Sequence, residues 1–182
     1  MALIHYPVLN RKSEIIGSAV TNLDLHDIAR AAKTYGVNTY YLVVPHLDQQ
    51  SLVNDLLDHW LTGYGATYNT KRKEALGLIK VCDDLDCLYR KVTEKWGARP
   101  TVLATSAASG RQVVGYGEAR KRIQRGHPHL LLFGTGWGLA PQVMDRIDGV
   151  LPPIQGGGEY NHLSVRSAVS IILDRLLGPG AE

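Results

Sequence analysis

Three stretches of this 182-residue chain gather residue types that hold small polar ligands. The first, Ala104, Thr105, Ser106, Ala107, Ala108, Ser109 and Gly110, mixes small side chains that let backbone come close with hydroxyls that donate and accept without charge. The second, LLLFGTGWGLAP from Leu130 to Pro141, sets Gly134, Gly136 and Gly138 directly behind an apolar run. Glycines there permit unusual backbone angles and leave amides to point at a bound group; a plain tight turn uses the same residues. The third runs from Val150 to Gly178. Pro152 and Pro153 stiffen its start, Gly156, Gly157 and Gly158 open a loop, and Tyr160, Asn161, His162 and Ser164 lead into an apolar-periodic segment. A polar quartet at a helix start suits ligand contact, with capping by Asn161 or Ser164 as the structural alternative.

Other chemistries find little support. The GTGWG spacing is not that of the dinucleotide fingerprint, and too little chain follows it to complete a mononucleotide-binding half. No P-loop lysine and no carboxylate pair suited to magnesium appears, which argues against a nucleotidyl or phosphoryl transferase. Cys82 and Cys87 have no second pair or histidine cluster beside them, so no metal site is expected. Both read as free thiols, one at a strand end and one on the buried side of the next helix. No apolar run reaches the roughly 18 residues of a membrane span, and the N-terminal apolar stretch is too short for a secretory signal, so the expected location is cytoplasmic. A net charge of +3 says little by itself. Its distribution says more: Arg11 with Lys12, Lys71 with Arg72 and Lys73, Arg111, and Arg120 to Arg125 are local clusters that meet phosphates if folding collects them, and are solvated helix faces and loop tips if it does not.

All three stretches follow apolar runs, which calls for an α/β scaffold with a mainly parallel sheet, helices on both faces, and ligands at the carboxyl ends of the strands. Strands are expected near Ala2 to Val8, Thr39 to Val44, Gly77 to Val81, Thr101 to Thr105, His129 to Phe133 and Gly149 to Leu151. The first helix has Asp24 as its expected cap, Leu25, Ile28, Ala29 and Ala32 as an apolar stripe, and Gly36 as its end. Gln49 to Leu61 repeats the pattern with Leu52, Val53, Leu56, Leu57 and Trp60 before Gly63 and Gly65 break the chain. Further helices run from after Cys82 to about Trp96, from Gly117 to Gln124, and from Ser164 to Leu177 with Val165, Ala168, Val169, Ile172 and Leu176 inward. Residues 1–182 read as one domain, with 179–182 a disordered tail.

Phe133 to Leu139 and Ile154 to Ala168 together resemble the two C-terminal signature motifs of SPOUT methyltransferases, and Asn22, Asp24 and Arg30 in the first helix resemble that superfamily's first motif. The likeness covers almost the whole chain and is nearest to a small bacterial group of single-domain RNA methyltransferase-like proteins. Better-known branches carry Asn and Glu in the second motif, where this chain has Thr135, Gly136 and Trp137, and Ser and Asn in the third, where it has Tyr160 and His162. The resemblance implies a C-terminal deep trefoil knot, which rules of thumb about topology would exclude. It also implies a homodimer, S-adenosylmethionine as cofactor, and tRNA or rRNA as the methyl acceptor, with no membrane partner.

On this resemblance the expected cofactor residues are Thr105, Ser106, Ala107, Phe133, Gly134, Thr135, Gly136, Trp137, Gly138, Leu139, Ile154, Gly156, Gly157, Gly158, Tyr160, Asn161, Leu163 and Ser164. Tyr160, Asn161 and His162 would border the reactive end, with His162 second to positioning as a general base. Arg30 would place an RNA phosphate or polarise the accepting group; a surface ion pair with Asp27 is the competing reading. Arg11, Lys12, Arg30, Arg72 and Arg111 would contact RNA. The rival to an enzyme is a non-catalytic RNA-binding or regulatory protein that retains the knotted fold.

Overall fold

Alternation along short strands sets the layers of the molecule. The computed structural model describes residues 1–105, 112–158 and 160–180. In chain order the strands are β1 (Ala2–Ile4), β2 (Val8–Leu9), β3 (Ile15–Ile16), β4 (Tyr40–Val43), β5 (Ile79–Cys82), β6 (Thr101–Thr105), β7 (His129–Gly134) and β8 (Gly149–Leu151). The helices are α1 (Asn22–Thr34), α2 (Leu47–Leu61), α3 (Tyr64–Tyr68), α4 (Thr70–Leu76), α5 (Leu85–Trp96), α6 (Tyr116–Gln124), α7 (Pro141–Met144) and α8 (Val165–Leu177). Six strands form one parallel sheet in the order β5-β4-β1-β7-β6-β8, while β2 and β3 pair as a small antiparallel ribbon.

Successive side chains on a strand point to opposite faces. Leu3, Tyr40, Leu42, Leu103, Leu131 and Phe133 therefore enter one core layer with α1, α2, α4, α6 and α8. Ala2, Ile4, Tyr41, Val43, Val102, Ala104, Leu130 and Leu132 enter the other, with α5 and α7. Both faces of the sheet are covered, as a parallel sheet requires. The thiols fall as expected: Cys82 closes β5, Cys87 lies on the inner side of α5, and both are free and buried. Burial pushes the Cys82 thiol up to about 12, which makes it unreactive.

The structure corrects several expectations. The first strand ends at Ile4, because Pro7 has no N–H to continue a ladder; the chain turns and Val8 pairs with Ile16 instead. Thr21, not Asp24, caps α1: its side chain accepts from the Asp24 amide at 3.2 Å, which puts Asp24 in the first turn where a carboxylate complements the helix dipole. Gly36 follows the helix end in the left-handed region, φ +69°, as a terminating glycine should. The α1 stripe is borne out residue for residue. On α2, Val53 is buried and Leu56, Leu57 and Trp60 pack on the core, but Leu52 is exposed, one position outside the inner stripe. The break at Gly63 is real, yet two short helices follow it.

Chain path matters most after β8. That strand lies at the sheet edge, yet α8 packs beside α1 and reaches β7 in the centre. The described residues 152–158 and 160–164 thus lie over the carboxyl ends of the strands. The stretch 112–114 runs along β8, with the Val114 amide on Val150 O and the Val150 amide on Gln112 O, each at 2.9 Å. Tyr116 Oη donates to Pro152 O at 2.9 Å, and Arg120 Nε donates to Leu176 O at 3.2 Å, so α6 is tied to both ends of the returning segment.

Candidate functional site

The crossing segment closes a cleft over the strand ends. Its larger part, about 440 Å³, is lined by Ser18, Ala19, Asp24, Thr105, Phe133, Gly134, Thr135, Gly136, Leu163, Ser164, Val165 and Ala168. A second part of about 230 Å³ shares Thr105, Leu163 and Ala168 and adds Pro152, Pro153, Ile154, Asn161 and Ile172. The two lie in the range of roughly 300–1,000 Å³ typical of small-molecule sites when joined. Among the described residues the lining joins apolar Ile154 and Leu163 to the hydroxyl residues Ser18, Thr105, Thr135 and Ser164 and the carboxylate of Asp24. A cavity of about 340 Å³ at the opposite sheet end is lined by Val37, Tyr41, Trp96 and Leu131 together with Asn38, His127 and His129, away from the carboxyl ends of the strands.

The loop after β7 is held rather than open. Leu9 N–H donates to Gly138 O and the Trp137 amide donates to Leu9 O, both at 2.9 Å, while the Gly138 amide turns back to Thr135 O at 3.1 Å. The amides of Trp137 and Gly138 are thus spent on the β2 ribbon and the turn, contrary to the expectation that they stay available. Gly136 has φ +58°, and a Cβ there would stand 2.8 Å from Leu9 O, so both conformation and space demand glycine.

A chain of hydrogen bonds runs from this loop into the core. Thr135 Oγ1 donates its single hydrogen to Ile4 O at 3.0 Å. The 2.5 Å contact between Ser18 Oγ and Thr135 Oγ1 is then donated by Ser18, and the 2.9 Å contact between His5 Nδ1 and Ser18 Oγ by the imidazole. The neutral ring therefore carries its proton on Nδ1 and leaves a buried Nε2 lone pair without a partner among the described residues. Burial lowers the His5 pKa, against raising contributions from Asp24 and Ser18. His5 and Ser18 were not legible as site residues: the contact joins positions 117 residues apart, which no local pattern signals.

The cleft brings together Thr105, Phe133, Gly134, Thr135, Gly136, Ile154, Asn161, Leu163 and Ser164. It does not bring in Trp137, which is exposed, nor Leu139, which is buried on the other core layer with its side chain against Gly134. Gly138 and Gly156 to Gly158 stay outside the lining, the latter three in an exposed loop. Tyr160 and His162 pack edge to face at 5.4 Å and are both exposed. Ser164 is the α8 cap, its Oγ accepting from the Ser167 amide at 3.3 Å. Ser106, Ala107 and Arg111 lie outside the described residues. Asp27 pairs not with Arg30 but with Arg166 of α8, at 3.1 Å, and the same guanidinium reaches Asp24 at 3.3 Å. Arg30 projects from the exposed side of α1. Arg11 and Lys12 stand in the exposed β2–β3 turn. Arg72 stacks on Trp60, 4.7 Å from the ring centroid. Its charge and burial, burial first, lower the pKa of neighbouring His26.

A family model described as SAM-dependent RNA methyltransferase matches residues 1–178. A tRNA (guanine-N(1)-)-methyltransferase of Oleidesulfovibrio alaskensis is 45% identical over 177 residues, 97% of this chain. The chain spans only 41% of that relative's length, so the greater part of the relative lies outside the match. An uncharacterized protein of Aquifex aeolicus is 40% identical, over 97% of this chain and 86% of its own length. Among solved structures, an AdoMet-bound rRNA methyltransferase from Sinorhizobium meliloti shares the fold, with a TM-score of 0.58, 20% identity, and coverage of 96% of this chain and 54% of that one.

Proposed function

Because this chain belongs to the SAM-dependent RNA methyltransferase family, we propose that it transfers a methyl group from S-adenosylmethionine to tRNA or rRNA. The observation that carries this is the meeting, in one cleft, of the glycine loop after β7, the strand end at Thr105 and the polar entry to α8, beside Asp24 of α1. The lining suits the cofactor on chemical grounds. Ile154 and Leu163 offer apolar faces for an adenine ring, and Ser164 and Asn161 offer hydroxyl and amide partners for ribose and amino-acid groups. Bound AdoMet supplies a sulfonium-activated methyl group. The residues' own task is to hold the acceptor in line and exclude water. Asn161 borders that space, Tyr160 and His162 stand at its exposed rim, and Arg30 on α1 meets the acceptor's phosphate.

We read the return of α8 to the sheet centre from the edge strand β8, beside the 112–114 stretch, as the C-terminal trefoil knot of the SPOUT superfamily. The enzyme acts as a homodimer in the cytoplasm, with residues 1–182 forming one domain. The matched relatives named for tRNA support tRNA as the acceptor.

Calorimetric titration with S-adenosylmethionine and S-adenosylhomocysteine tests this. One saturable site per chain is expected, with at least tenfold weaker binding in Gly136→Ala because the loop must shift off Leu9 O. A folded wild-type protein that binds neither ligand would overturn the assignment in favour of a non-catalytic RNA-binding protein.

A further inference from the structure

We propose that the outer surface of α3 and α4 is a docking platform for single-stranded RNA, with Tyr64 and Tyr68 stacking on unpaired bases and Lys71 and Lys73 following the phosphates; this rests on the RNA methyltransferase reading above. Both tyrosines are 74% exposed, an unusual outlay of aromatic surface on a five-residue helix. Their rings are stacked, 23° from parallel with centroids 6.0 Å apart, so the pair leaves its outer ring faces to solvent for a base to continue the stack. Every base has a π-face that such a surface accepts, whereas a duplex keeps its faces stacked inside.

The platform is fixed from below. Trp60 is gripped edge-on by His26 at 5.4 Å and His59 at 5.2 Å, with Arg72 over its ring. A Cβ on Gly65 would stand 2.7 Å from Trp60 Cε3, so the α3 backbone that carries both tyrosines lies flush on the indole. Charge favours a polyanion. No acidic residue occurs between Asp58 and Glu74, while Lys71, Arg72 and Lys73 fall inside that interval. Lys71 is 88% exposed, and its 3.8 Å contact with Glu74 is a surface pair that a phosphate can replace. The same charges set two copies of this face against each other, which disfavours self-association through it. The position also fits the reaction: α1, whose His26 supports Trp60, carries Asp24 into the cleft and Arg30 on its exposed side.

Fluorescence anisotropy with an unstructured labelled oligoribonucleotide of about 12 nucleotides, and with the matching duplex, tests the platform on the full chain. Tyr64→Ala with Tyr68→Ala should weaken single-strand binding about 10- to 100-fold and leave duplex binding within about twofold. Tyr64→Phe with Tyr68→Phe should restore it, since the ring does the stacking. Lys71→Ala with Lys73→Ala should reduce the slope of log affinity against log salt by about 1.4. Single-strand binding unchanged in the alanine pair, equal loss for the duplex, or dissociation of a dimer by the alanine pair in sedimentation would each overturn the proposal. Calorimetry with S-adenosylhomocysteine separates the two readings: wild type that binds it while the alanine pair binds RNA normally sinks the platform alone, and RNA loss in the alanine pair without ligand binding by wild type sinks the methyltransferase reading alone.

Discussion

Thr135 is where the sheet core and the ligand cleft touch. Its hydroxyl ties the glycine loop to Ile4 of β1 and, through Ser18, to the buried ring of His5. A fully buried histidine with an unpartnered nitrogen resists a second proton, because the resulting cation would have neither water nor a counter-ion at Nε2. The unfolded chain has no such restriction and takes up that proton near pH 6.5. Protonation therefore favours unfolding, and stability should be full above about 6.5 and fall as the pH drops below it toward the lowered folded-state value. His26 and His129 are shifted in the same direction and add to the slope. His5→Asn keeps a donor for Ser18 without an ionisable ring. Thermal melts from pH 7.5 to 5.5 should show a shallower decline for the variant than for wild type; parallel curves would remove His5 from this role.

At the scale of elements, α1 separates structural work from the work proposed for it. Its inner face is the Leu25, Ile28, Ala29 and Ala32 stripe, and the carboxylates of Asp24 and Asp27 hold Arg166 of α8. Arg30 is left on the exposed side. Arg30→Ala should therefore lower RNA methylation at least tenfold while AdoMet affinity and melting temperature stay unchanged. Arg166→Ala should do the reverse in stability, costing up to about 1 kcal/mol for partly exposed pairs, or about 2–4 °C in a chain of this size. A parallel loss of cofactor binding in Arg30→Ala would contradict the division. The α1 stripe was legible because its four apolar positions at helical spacing already define a face. The six strands of the parallel sheet were legible for the like reason that buried parallel strands read as continuous apolar runs, although the end of the first was not. What escaped was decided by contact between distant segments. Gly65 reads as a breaker, but its missing Cβ makes room for Trp60, and α3 and α4 form around that contact. Trp137 sits in a glycine-rich run that suggests a ligand loop, yet its amide is claimed by Leu9, 128 positions away, and its side chain is exposed.

At the scale of the molecule, the cleft is open on the side where α1 and α8 begin. Leu23 in the first turn of α1 is 59% exposed, and Leu163, just before α8, is 47% exposed while also lining the cleft. These two helices pack against each other, so the exposed leucines mark one end of a shared face. Apolar side chains beside a functional cleft fit an interface, and a two-fold interface would place the partner's residues at the same cleft that it covers. In the homodimer proposed above, the partner would then complete the site instead of merely doubling it. Sedimentation equilibrium should give twice the 20.0 kDa chain mass, and Leu23→Glu, which leaves every cleft-lining side chain in place, should give monomers with weakened AdoMet binding and no RNA methylation. Because position 23 is solvent-facing within one chain, the monomer should keep its circular dichroism and melt cooperatively. A wild-type protein that methylates RNA as a monomer, or a Leu23→Glu variant that stays dimeric and fully active, would place the interface elsewhere and leave each cleft self-sufficient.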